Sequence, residues 1–132
     1  MHMKVLIAGG GTMGREIAKA LPEHEITIME RNPDVCTRDS NELNVNVICG
    51  DCTKLHVLKE AEFEKAKAII AVTNSDEVNL LLALYAKKNG KHVIARVKEP
   101  EYMELFEDQG IDHIISPERR AALDIASKVV WD

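Results

Sequence analysis

Gly9, Gly11 and Gly14 stand in the spacing GxGxxG, between a run of aliphatic residues, Lys4 to Ala8, and a stretch in which Met13, Ile17, Ala20 and Leu21 recur at helical intervals. Strand, glycine turn and helix in immediate succession predict a βαβ unit. In such a unit Gly9 permits the tight turn, Gly11 lets the backbone come close to a bound group, and Gly14 lets the helix pack against the strand. The N–H groups of Gly11, Thr12 and Met13 then lie at a helix N-terminus, where the aligned peptide dipoles favour an anion such as a pyrophosphate.

The remainder of the chain repeats the alternation. Strands are predicted at Glu25 to Met29, Asn44 to Cys49, Ala66 to Thr73, Lys91 to Val97 and Ile111 to Ile115. Helices are predicted from Asn32-Pro33 to about Leu43, over Leu55 to Glu60, Asp76 to Asn89 and Pro100 to Gln109, and from Pro117 to about Val130. In the Asp76 to Asn89 helix, Val78, Leu81, Leu82 and Tyr85 form the expected buried stripe, with Leu80 and Leu84 off it. Strands separated by helical crossovers predict an α/β fold: a Rossmann-like, doubly wound, parallel six-stranded sheet with helices on both faces. With 132 residues the expectation is a single domain over residues 3–132, without room for a separate substrate domain. The opening Met1-His2-Met3 reads as a vector-derived start, so His2 is given no function.

Apolar residues make up 45% and charged residues 30%, the balance of a globular domain with its own core. Its apolar runs, such as Asn79 to Ala86, are far short of the roughly 20 residues of a membrane span, and no secretory signal is read. Neither membrane insertion nor nucleic-acid binding is expected, since the net charge is −5 and Lys and Arg form no stripe. Three cysteines, an odd number, predict free thiols in a reducing cytoplasm.

Glu30 ends the second strand, where the glycine fingerprint calls for a carboxylate on the ribose hydroxyls of an adenine nucleotide. A carboxylate there also repels a 2′-phosphate and favours NAD over NADP. The neighbouring Arg31 is expected to lie near the adenine or in solvent. Asp51, after the third strand, either reaches the adenine edge or caps the segment that follows, and both roles stay open. Thr73 and Asn74 lie at the end of the fourth strand, across the switch point from Gly11. They can contact ribose or phosphate, while Asn74 or Ser75 can cap the next helix. Arg96, a lone cation in the apolar run VIARV, needs a carboxylate or a phosphate partner, and phosphate is favoured.

Catalytic constellations are not apparent. Four positions after Tyr85 stands Asn89 and four after Tyr102 stands Phe106, so neither tyrosine makes the YxxxK pair of a short-chain reductase. His24, His56, His92 and His113 are dispersed, and no metal site is expected. Cys49-Gly50-Asp51-Cys52 has the CxxC spacing but neither a second pair for zinc nor a thioredoxin-like context.

The glycine turn, Glu30, Gly50-Asp51-Cys52-Thr53, Ala71-Val72-Thr73-Asn74 with Asp76-Glu77-Val78-Asn79, Ala95-Arg96-Val97 and Ile114-Ile115-Ser116-Pro117-Glu118 together resemble the regulator-of-K⁺-conductance, or TrkA-type, N-terminal nucleotide-binding domain. The match runs from Met3 to Val130. It implies a cytoplasmic regulatory subunit on the inner face of the membrane that binds NAD(H), or alternatively ATP, ADP or AMP, and gates a K⁺ transporter or channel through a conformational change. The nucleotide contacts it implies are Gly9, Gly10, Gly11, Thr12, Met13, Gly14, Glu30, Arg31, Asp51, Cys52, Thr73, Asn74 and Arg96. No second ligand-binding domain follows Asp132, so a stand-alone subunit or a chain cut at a domain boundary is expected. Ala121, Ala122, Ile125, Ala126, Val129 and Val130, with Trp131 beyond them, form an apolar stripe suited to a homodimer, and Leu80 and Leu84 to a larger ring. The competing classes are a small NAD(P)-dependent oxidoreductase and an assembly scaffold independent of nucleotide.

Overall fold

A computed structural model describes residues 2–130, so the expectation for Trp131 lies outside the described residues. Its elements are β1 (Lys4–Ala8), α1 (Thr12–Ala20), β2 (Glu25–Glu30), α2 (Pro33–Glu42), β3 (Asn46–Cys49), α3 (Leu55–Glu60), β4 (Ala68–Ala71), α4 (Asp76–Lys88), β5 (His92–Arg96), α5 (Pro100–Asp108), β6 (His113–Ile115) and α6 (Pro117–Ser127). Every strand pairs in parallel, in the order β3-β2-β1-β4-β5-β6. The sheet is therefore the doubly wound one expected. Its order reverses at β1, which pairs Ile7 with Ile28 of β2 on one side and with Ile70 of β4 on the other.

Alternation along the central strands fills two cores. Leu6 and Ala8 of β1 and Ile69 and Ala71 of β4 face α3, α4 and α5, where Val57, Leu82, Ala83 and Phe106 are buried with them. Val5, Ile7, Ala68 and Ile70 point to the opposite face and pack with Ala18 of α1. A 3-10 turn at Phe63–Lys65, which periodicity did not predict, is entered through left-handed Glu62 and brings the chain into β4.

Two expectations are corrected. The buried residues of α4 are Asp76, Asn79, Leu82, Ala83 and Ala86, while Leu81 and Tyr85 are 56% and 38% exposed. Leu80 and Leu84 instead pack in part against the core. The rotation follows from Asn79, whose side chain bonds to the strand ends, and from the two alanines, which let the helix sit close to the sheet. The second correction concerns the thiols: Cys36 of α2 and Cys49 at the end of β3 are joined as a disulfide. The β2-α2-β3 crossover lays α2 beside the edge strand and brings the two sulfurs together. Cys52, the other half of the CxxC spacing, is a buried free thiol whose pKa burial raises to about 11.

Candidate functional site

A crevice of about 830 Å³ runs along the carboxyl ends of the strands at the point where the sheet order reverses. Its first wall is the glycine turn. Gly9 has φ +111°, and a Cβ there would meet the Val72 carbonyl oxygen at 2.8 Å. At Gly14 a Cβ would collide with the Gly9 carbonyl, so the absence of side chains is what allows α1 to start against the turn. No side chain caps α1 and no acidic residue occupies its first turn. The unpartnered N–H groups there form a ready anion cradle.

Glu30 closes one end of the crevice. Its Oε1 accepts from the Gly10 N–H at 2.7 Å and its Oε2 from the Asn32 N–H at 2.8 Å. Each carboxylate oxygen keeps a second acceptor position. Beneath Gly10 lies Asp39, with no side-chain exposure, whose Oδ1 is 3.4 Å from Arg38 Nε and 3.6 Å from Arg15 Nη1. Burial raises the Asp39 pKa more than the two arginines lower it. Arg38 also donates from Nη2 to the Gly10 carbonyl at 3.1 Å, so the turn is held from below as well as from the crevice side.

The other wall comes from the ends of β4 and β5. Thr73 donates to Asn79 Oδ1 from both its backbone N–H, at 2.9 Å, and its hydroxyl, at 2.7 Å. Asn79 Nδ2 in turn donates to the carbonyls of Thr73 and Arg96, so one buried amide stitches the two strand ends together. That diversion of the Thr73 N–H also ends β4 earlier than its apolar run predicted. Ser75 caps α4, accepting from the Val78 N–H at 3.2 Å. Arg96 donates from Nη2 to Glu118 Oε2 at 2.7 Å across the mouth of the crevice.

Of the residues singled out from the sequence, Gly9, Gly11, Thr12, Met13, Gly14, Glu30, Arg31, Asp51, Cys52, Thr73, Asn74 and Arg96 all line this crevice. Gly10 lies behind it, its N–H taken by Glu30. Asp51 lines the crevice while its Oδ1 accepts from the Thr53 N–H and hydroxyl, and these bonds lower its pKa. Arg96 meets the Glu118 carboxylate. Asn32 and Glu118 also line the crevice, a placement that sequence reasoning did not assign. The 22-residue separation of Arg96 and Glu118 leaves no local signal for the pair. His92 and His113, dispersed in the sequence, have their rings 4.9 Å apart across β5 and β6.

With this geometry in view, the chain can be set beside known proteins. Residues 5–117 match the model of the TrkA-N domain. A Trk system potassium uptake protein TrkA homolog of Methanothermobacter thermautotrophicus is 40% identical over 123 residues, 91% of this chain and 57% of the relative. The TrkA of Vibrio alginolyticus is 34% identical over 121 residues, 89% of this chain and 26% of the relative. This chain thus spans just over half of one such protein and about a quarter of the other. Among solved structures, a GsuK channel bound to NAD superposes with a TM-score of 0.74 at 27% identity, over 89% of this chain and 22% of that one. GsuK bound to ADP gives 0.74 at 26%, over 88% and 31%. On the family model and these identities, the chain belongs to the TrkA-N domain family.

Proposed function

We propose that this domain senses a nucleotide and regulates K⁺ transport through a membrane transporter or channel to which it is coupled. NAD(H) is the ligand the crevice favours, with ATP, ADP and AMP as competitors. The observation that carries this is the juxtaposition, in one crevice, of an uncapped α1 N-terminus and a fixed Glu30 carboxylate. The first suits a pyrophosphate and the second suits ribose hydroxyls, and the volume lies in the range of cofactor pockets. The NAD and ADP found on GsuK support the same ligand class.

In this role Gly9 to Gly14 cradle phosphate, Glu30 holds ribose, Arg31, Asp51 and Cys52 border the adenine, and Thr73, Asn74 and Arg96 close the opposite wall. A regulatory rather than enzymatic output accords with relatives named as potassium uptake proteins. No described helix is long and apolar enough to cross a membrane. Within α6 and the turn after it, Leu123, Ile125, Val129 and Val130 are 61 to 80% exposed, and we assign them to a homodimer contact.

A ligand shifts a conformational equilibrium only by binding one state more tightly than the other. Calorimetric titration with NADH, NAD⁺, ATP and ADP tests the proposal, with saturable binding expected for at least one. Failure of all four to bind overturns it. Glu30→Ala is expected to weaken NADH by on the order of tenfold to a hundredfold, the worth of hydrogen bonds to a charged acceptor.

A further inference from the structure

We propose that Glu118 is a latch that competes with the ligand's phosphate for Arg96, so that phosphate arriving in the crevice releases α6; this rests on the nucleotide reading of the crevice. The Arg96–Glu118 bond is the only hydrogen bond joining an α6 side chain to the body of the domain among the described residues. Within the single chain no residue of α6 is buried, so packing on its own domain adds little to that tie. The Arg96 side chain is only 14% exposed, and Glu118 engages it through a single nitrogen. Arg96 Nε is buried and has no hydrogen-bond partner.

A guanidinium with one edge half used is an incomplete anion site. A phosphate group, with three oxygens, can take Nε and an Nη together, whereas Glu118 satisfies one nitrogen. The exchange therefore gains the hydrogen bond that is missing now. It also brings a phosphate charge next to the Glu118 carboxylate, and like charges in a half-buried setting repel. Burial pushes the Glu118 carboxyl up, but the hydrogen bond and charge of Arg96, helped by its backbone bond and Lys98, outweigh burial and hold it below the ordinary value. Glu118 is thus charged at neutral pH and opposes an arriving phosphate. Because it sits in the first turn of α6, its displacement frees the helix whose exposed apolar side chains are assigned to the partner copy.

The test compares wild type with Glu118→Gln, which keeps the side chain's shape and removes its charge. Calorimetry with ADP, NADH and adenosine is expected to show ADP and NADH binding about fivefold more tightly to the variant, the scale of a partly exposed ion pair, with adenosine unchanged. Amide hydrogen exchange over residues 117–127 should quicken in wild type when ADP is added, and should already be fast and insensitive to ADP in Glu118→Gln. Equal or weaker ADP binding by the variant overturns the latch alone. So does an α6 exchange rate that ignores ADP in wild type. If neither protein binds any of the three ligands, the nucleotide site itself is wrong and the latch falls with it.

Discussion

Helices α1 and α6 both begin at the crevice, each directly after a strand or its turn, yet they are attached in opposite ways. The start of α1 is welded in place: Gly14 meets the Gly9 carbonyl, Ala18 is buried, and Gly10 is held by Glu30 on one side and Arg38 on the other. Within one chain α6 has no fully buried residue, and its one side-chain tie to the domain among the described residues is the Arg96–Glu118 ion pair. A ligand that touches both walls therefore pushes against an anvil on one side and a hinged piece on the other. Coupled motion needs that asymmetry, since two rigid walls would bind without responding and two loose ones would spend the binding energy on ordering themselves.

The contrast can be broken most directly at Gly14. Gly14→Val forces a side chain into the Gly9 carbonyl and is expected to cost about 4 kcal/mol or more in urea unfolding, the exceptional range for a single substitution. A loss below about 1 kcal/mol would mean that the α1 wall is as yielding as α6. Reducing the Cys36–Cys49 bridge removes a cross-link between residues 13 apart, and the unfolding free energy should drop by about 3 kcal/mol. The measurement is the denaturation midpoint with and without a dithiol reductant.

Asp39 sharpens the comparison through pH. Its folded pKa is raised by burial, so the native state binds a proton more readily than the unfolded chain. Its contribution to stability is then greatest in acid and is lost as pH rises from the ordinary aspartate range through the raised value. Wild type should accordingly gain stability relative to Asp39→Asn as pH falls through the raised value toward the ordinary aspartate range, read from paired urea curves. The smallest effect is expected on α6. Ile125→Ala, at a side chain 66% exposed, should leave the folding stability of the monomer within about 0.5 kcal/mol of wild type, while sedimentation reports any change in self-association.

Much of the architecture was legible because it depends on local pattern. Six aliphatic runs and the glycine spacing suffice for the parallel sheet, and the distance from Gly9 to Glu30 follows from one strand-helix-strand unit. What escaped depends on groups meeting across the fold. The amphipathic count on α4 chose Leu81 and Tyr85 because it could not foresee Asn79 bonding to the carbonyls of Thr73 and Arg96. Cys36 and Cys49 are partners only once α2 has folded back on the sheet edge. Arg96 was recognised as a cation needing a counter-charge, but its carboxylate neighbour Glu118 lies on another element, 22 residues away.

The Cys36–Cys49 bridge has one more consequence. It makes residues 36 to 49 a covalent ring that includes the exposed residues Ser40 to Glu42. A protease that cuts within that ring leaves two polypeptides travelling as one, with β1, α1 and β2 still chained to β3 and everything after it. The nick stays invisible to mass under oxidising conditions, apart from one added water, and the fragments part only when the sulfur bond is opened.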